Sequence, residues 1–165
     1  MLFLIFELGS DRYAIDTSDV VEVLARAPLK ALPGTPPWVS GLCSYRGHTV
    51  PVIDLCELAL GRPASDHIST RTVMVHYRNS DATAESERSN AQSSEPHWLG
   101  LVVEHANRTQ RFDATDFRPG GIDTPDARWL GPVAQSTDGL VQWVRIEHLL
   151  TDEARELLFK EANGS

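Results

Sequence analysis

The stretch Gly41–Leu60, GLCSYRGHTVPVIDLCELAL, decides how this 165-residue chain is read. Two apolar runs, Gly41–Tyr45 and Thr49–Leu55, flank Arg46-Gly47-His48. The pattern predicts a β-hairpin whose tight turn takes its positive φ from glycine. Val50 and Val52 fall on one face of the second arm, Pro51 and Ile53 on the other. Both faces are apolar, so this arm is expected to be buried on both sides, as in a small barrel or at a junction of subdomains. Pro51 has no N–H to give a ladder and belongs at a bulge, an edge or a strand start. Arg46 stands apart as a guanidinium on a rigid turn beside an apolar wall. Its ordinary reading is a solvated turn residue.

Composition bounds the rest. The length suits one domain or two small fused subdomains, able to bury roughly 70% of the unfolded surface. Hydrophobic residues at 41% and charged residues at 23% are ordinary for a soluble globular protein. A formal charge of −8, with no basic run, argues against nucleic acid and against an anionic membrane surface. Met1–Phe6 is apolar but too short to span a bilayer and has no basic leading region, so secretion is not expected. Cys43 and Cys56 sit in apolar sequence outside any CxxC motif, and read as buried hydrophobes in a reducing cytosol.

Outward from the hairpin, Leu2–Leu8 and Arg12–Ile15 form a first pair of arms around Gly9-Ser10-Asp11. Asp16 or Thr17 can cap a helical turn leading into Val20–Leu24. Pro28–Pro37, with four prolines, predicts an extended surface connection, and Trp38 and Val39 re-enter the core. Cys56–Leu60 has helical spacing, with Gly61 as its C-cap and Pro63 beyond. Thr72–Tyr77 and Trp98–Glu104 are further strands. Asn79–His97 holds no apolar residue larger than alanine and predicts a disordered loop that proteases cut first. Arg111–Phe117 reads as weak strand or turn, broken by Pro119-Gly120-Gly121. Leu130–Ala134 and Leu140–Ile146 make a last pair around Ser136–Gly139. Thr151 or Asp152 caps a terminal helix whose Leu157 and Leu158, with Leu149 and Leu150, are expected to pack inward. Many short strands and few helices indicate an all-β barrel architecture with minor helices.

Catalytic signals are absent from this pattern. Six histidines are scattered without HxH or HxxxH spacing. Asp54 and Glu57 read as a helix cap and a solvated carboxylate. Cys43 would serve as a nucleophile only if its thiol lay in a polar cleft. No GxSxG, GxGxxG or phosphate loop occurs. The chain reads as a non-enzyme.

FELGSDRYAIDTSDVVEVL followed by LPGTPPWVSGLCSYRGHTVPVIDL resembles the CheW-like domain of bacterial chemosensory systems. RTVMVHY, WLGLVVE, FRPGGI and LVQWVRIEHLL continue the likeness, which runs from about Leu2 to Leu150. The resemblance implies two intertwined five-stranded β-subdomains of SH3-like type around a shared core. It implies an adaptor coupling the cytoplasmic tip of a methyl-accepting chemoreceptor to the regulatory domain of a CheA-type histidine kinase, at arrays on the inner face of the membrane. It brings no cofactor and no catalytic residue.

By the same resemblance, partner binding falls to Arg46 and Gly47 at the groove between subdomains, with Val20 and Val50 as apolar neighbours. Glu22 lies on the partner-facing side of the first subdomain. Two plainer readings stand beside these: Glu22 as a solvated carboxylate on a strand edge, and Arg46 as the counter-charge to an internal carboxylate such as Asp54. The chain departs from the family where Asn-Leu-Arg-Gly becomes Ser44-Tyr45-Arg46-Gly47, and where VVD-x-V becomes Val102-Val103-Glu104-His105-Ala106. It also begins directly on its first strand and carries the 79–97 insertion. These departures suggest a paralogue in a dedicated pathway, such as a Wsp-like surface-sensing system controlling cyclic-di-GMP and biofilm formation. A free-standing SH3-like binding module and a small thiol hydrolase are the alternatives.

Overall fold

The computed structural model describes residues 1–26, 28–78, 97–120 and 127–159. In chain order these form β1 (Leu2–Leu8), β2 (Asp11–Asp16), β3 (Val20–Ala25), β4 (Val39–Tyr45) and β5 (His48–Asp54). Helix α1 (Leu55–Leu60), β6 (Arg71–Tyr77), β7 (His97–Arg111), β8 (Leu130–Ser136), β9 (Gly139–Val144) and helix α2 (Asp152–Phe159) follow. Short 3₁₀ turns lie at Thr17–Asp19, Ala114–Asp116 and Ile146–His148.

The 15-residue β7 organises these elements, because its two halves belong to different sheets. Its first half, His97 to Val103, pairs antiparallel with β6 and parallel with β5. Its second half, Glu104 to Arg111, pairs antiparallel with β1. One five-stranded sheet therefore runs β7–β1–β2–β9–β8, and the other β3–β6–β7–β5–β4. This is the pair of five-stranded subdomains expected from the resemblance. Among the described residues, neither five-stranded sheet closes on itself through backbone hydrogen bonds.

The strands alternate as a two-sided core demands. On β1, Leu4, Phe6 and Leu8 join the main core, which also holds Val52, Ile53, Val73, Leu99, Leu101 and Val103 of the other sheet. Phe3 and Ile5 point the opposite way, into a smaller cluster with Ala14, Phe112, Phe117, Ala134 and Val141. There Phe3 meets Phe117 and Trp143 at centroid distances of 5.1 and 5.0 Å. The main core is shared between the sheets and contains every residue from Val50 to Cys56 except Pro51 and Asp54.

The sequence expectations meet the structure unevenly. Asp16 caps the 3₁₀ turn through Ser18 N, and Asp54 caps α1 through Cys56 N at 2.9 Å and Glu57 N at 3.3 Å. Gly61 ends α1 in the left-handed conformation with φ 73°. At α2 the cap is Thr151, whose hydroxyl accepts from Ala154 N. Leu157 does not pack inward but is 45% exposed, while Ala154 is buried and Leu158 and Phe159 face the core. The strand expected over Trp98–Glu104 continues seven residues further. The expected disordered loop at 79–97 lies outside the described residues except for His97, which opens β7; Gly121 lies outside them as well. Among the described residues, no helix is long and apolar enough to cross a membrane.

Candidate partner-binding site at the central hairpin

In the hairpin, β4 and β5 pair from Val39↔Ile53 to Tyr45↔His48. The turn is the two residues Arg46 and Gly47, with φ of 48° and 78°. Positive φ at both central positions is the geometry whose twist matches two flanking strands. His48 belongs to the strand rather than to the turn. Glycine adopts this conformation freely; arginine does so at a cost of roughly 1–2 kcal/mol.

Contacts at the tip offset that cost. Nη2 of Arg46 donates to Glu22 Oε1 at 2.8 Å, and the Tyr45 hydroxyl donates to the same oxygen at 2.6 Å. The guanidinium carbon stands 5.0 Å from the Tyr45 ring centroid, within cation–π range. Tyr45 and His48 both meet Trp98 edge to face, at 5.3 and 5.1 Å. The Tyr45 hydrogen bond, assisted by Arg46, holds the Glu22 carboxyl below its usual range against the opposing effect of desolvation.

Glu22 sits on β3 and Arg46 at the end of β4, the two terminal strands of their sheet. Their contact is thus a side-chain clasp across the opening that the backbone leaves. Glu22 and Arg46 form one site, not two. Glu22 belongs to the sheet of β4 and β5 rather than to the first subdomain of β1 and β2. Arg46 does not neutralise Asp54, because the buried Asp54 carboxylate is taken by α1 and by Ala64 N at 2.9 Å.

The other candidates separate by burial. Gly47 is exposed, and a Cβ placed there would meet no heavy atom within 4 Å. Val20 is half-buried against the main core. Val50 is 2% exposed and offers no area to a partner: its alternation with Thr49 turns it into the core. Tyr45, His48 and Trp98, which sequence reasoning left out, complete the rim. Their one trace in the sequence is aromatic residues at strand ends, which are more often core.

Among the described residues, no group of three histidine, cysteine or acidic side chains is placed to hold a metal. Cys43 is 3% exposed, and burial, then the Glu104 carboxylate, push the Cys56 thiol up to about 12. A thiol held protonated and out of solvent is a poor nucleophile, which removes the group that a thiol hydrolase needs. A thiol-reactive aromatic disulfide should therefore leave both cysteines unmodified in the folded chain and label both in denaturant. Stoichiometric labelling of native protein within minutes would contradict their burial.

A family profile described as the CheW-like domain matches residues 2–154. This chain belongs to the CheW-like domain family. Among curated relatives, the CheW-like domain is 40% identical over 53 residues to "Chemotaxis protein CheW" of Klebsiella aerogenes, covering 32% of each chain. It is 38% identical over 53 residues to "Protein FrzA" of Myxococcus xanthus, covering 32% of this chain and 33% of that one. It is 34% identical over 70 residues to "Protein PilI" of Pseudomonas aeruginosa, covering 42% and 39%. These matches span only about a third of the relatives' length. In architecture the CheW-like domain is similar to the crystal structure of the scaffolding protein TtCheW from Thermoanaerobacter tengcongensis. The TM-score is 0.75 at 21% identity, covering 95% of this chain and 92% of that one. That likeness establishes the fold. Proteins of the CheW family are non-enzymatic scaffold adaptors of chemosensory systems.

Proposed function

We propose that this CheW-like domain is a cytoplasmic adaptor joining the helical tip of a methyl-accepting chemoreceptor to the regulatory domain of a CheA-type histidine kinase. The observation that carries the reading is the Glu22–Tyr45–Arg46 clasp: a preset guanidinium on a rigid turn, exposed beside half-buried Val20 and an aromatic rim. A planar guanidinium can meet a carboxylate or the terminal carbonyls of a helix with paired hydrogen bonds, while neighbouring apolar surface takes the helix's side chains. The substitutions at Ser44-Tyr45 and Glu104-His105 favour service in a dedicated surface-sensing pathway governing cyclic-di-GMP and biofilm formation, with its receptor arrays on the inner face of the membrane.

The test mixes receptor signalling fragment, kinase and this protein, and follows kinase autophosphorylation. Arg46→Glu should reduce receptor pull-down at least tenfold while the domain stays folded, the melting temperature falling by about 4 °C at most for the loss of an exposed ion pair. Glu22→Lys should act in the same direction. The double exchange of Glu22→Arg with Arg46→Glu restores the clasp but reverses its polarity. Continued loss of binding in the double variant means the partner reads the charge of Arg46 directly. An autophosphorylation rate indifferent to the wild-type protein, with cognate partners present, would leave the SH3-like binding module as the better reading.

A further inference from the structure

A second polar cluster lies outside the hairpin, where the loop between α1 and β6 meets the middle of β7. Nδ1 of His67 stands 2.7 Å from the Ser69 hydroxyl oxygen, and Nδ1 of His105 stands 3.0 Å from the same atom. The two imidazole centroids are 5.7 Å apart. Behind His105, its Nε2 faces Glu7 Oε2 at 3.8 Å.

Proton counting makes this cluster electron-rich. Nδ1 of His67 already accepts from Ser69 N at 3.2 Å, so it presents a lone pair. In the tautomer that carries its proton at Nε2, on the side of Glu7, His105 also presents a lone pair from Nδ1. Two nitrogen lone pairs then converge on one hydroxyl that has a single proton to give. A cation answers that arrangement better than a hydroxyl does.

The framework is also held in place. Glu104, which precedes His105, accepts from both N and Oγ of Ser65. Thr70 is 1% exposed and donates its hydroxyl to Ser65 O at 2.7 Å, while His67 and Thr70 close the loop through backbone bonds of 2.9 and 3.0 Å. His105 has φ 51°, close to the register shift where β1 and β7 bulge. Both histidines are exposed, so an ion reaches them without rearrangement of the core.

We propose that His67 and His105 bind a late first-row divalent cation, such as Zn²⁺, through their converging Nδ1 atoms, with Glu7 positioning the His105 ring. Imidazole nitrogen suits these ions, at metal–nitrogen distances of about 2.0–2.1 Å, and both rings are exposed. Ser69 and water fill the remaining positions. A carboxylate on the far nitrogen of a ligating histidine fixes its tautomer and raises its basicity. The bound ion ties the α1–β6 loop to β7 beside the place where the strand passes between sheets.

Calorimetric titration of the full chain with Zn²⁺, in a weakly coordinating buffer at pH 7.5, tests this. The wild type should take up one equivalent. His67→Ala and His105→Asn should each weaken binding at least tenfold, asparagine being chosen because it tolerates left-handed backbone. Glu7→Gln should weaken it by about tenfold, and His148→Ala should leave it unchanged. Zn²⁺ should also raise the wild-type melting temperature by several degrees and leave that of His67→Ala unmoved, since an ion that binds only the folded state stabilises it. Absence of uptake by the wild type overturns the proposal, as does wild-type affinity in His67→Ala, a loop variant that keeps the core intact.

Discussion

Gly41→Ala is expected to lower the stability of this domain by about 3 kcal/mol or more, about 6–12 °C in melting temperature for a chain of this size. Gly41 lies in β4 with φ 141°, a conformation that side chains of L-residues rarely adopt. A Cβ built there would stand 2.3 Å from the carbonyl oxygen of Lys30 and 3.0 Å from its carbon. That carbonyl cannot retreat cheaply. It accepts from Leu42 N at 2.9 Å while Lys30 N donates to Leu42 O at 2.8 Å, so the proline-rich connection is bridged to β4 at this point. Gly47→Ala is the matched control. Its φ of 78° is also left-handed, yet nothing lies within 4 Å, so only the backbone cost of about 1–2 kcal/mol applies. Thermal melts of the two variants followed by circular dichroism compare them, and an equal loss would mean that the close approach to Lys30 is relaxed at little cost.

Glu104→Gln should be nearly as damaging, by about 2–3 kcal/mol. Glu104 is 5% exposed at the midpoint of β7, and its carboxylate accepts from Gly9 N at 3.0 Å, from Ser65 N at 3.0 Å and from the Ser65 hydroxyl. Arg62 stands 3.8 Å away and Cys56 Sγ 3.4 Å. Burial alone would raise its pKa, but the donors from Ser65 and Gly9 outweigh it and pull the group from 4.5 down to about 2. A depressed pKa has a definite sign for stability: the native state binds the proton less readily than the unfolded chain does. The contribution is therefore complete above pH 4.5 and is lost as the pH falls towards 2. Glutamine keeps the shape and removes both the charge and this dependence. Denaturant titrations from neutral pH down to about pH 2 should show wild type and variant converging in acid. A gap that stays constant across that range would show that the loss comes from packing and not from the charge.

The elements carried by side-chain chemistry were legible before the structure was known. The hairpin around Gly47, the Asp54 cap, the Gly61 stop and the two-sided burial of β5 all follow from residue type and spacing. The second half of β7 was not legible, and the reason is physical. From His105 onward its residues are mostly exposed and polar, because here the strand is the edge of its sheet and gains its order from the backbone ladder with β1. The same limit hid the clasp. Glu22 and Arg46 are 24 residues apart in sequence, and only the curl of the sheet brings its terminal strands together. Gly41 looked like an ordinary strand residue, since nothing local reveals that the Lys30 carbonyl crosses it.

The division of β7 also sets an order of events on the ribosome. Every strand of the sheet β3–β6–β7–β5–β4 has been synthesised once the chain reaches Val103, so that half can assemble while translation continues. The opposite half cannot. Its β2 finds its parallel neighbour only at Val141 to Trp143, and β1 waits for the stretch ending at Arg111. The first strands to emerge are thus among the last to be paired on both sides. The strongly apolar LFLIFEL has only its own hairpin partner, β2, until the second half of β7 has been made. A truncated chain ending near Gly120 already carries the β7 partner of β1, whereas β2 still lacks its parallel neighbour.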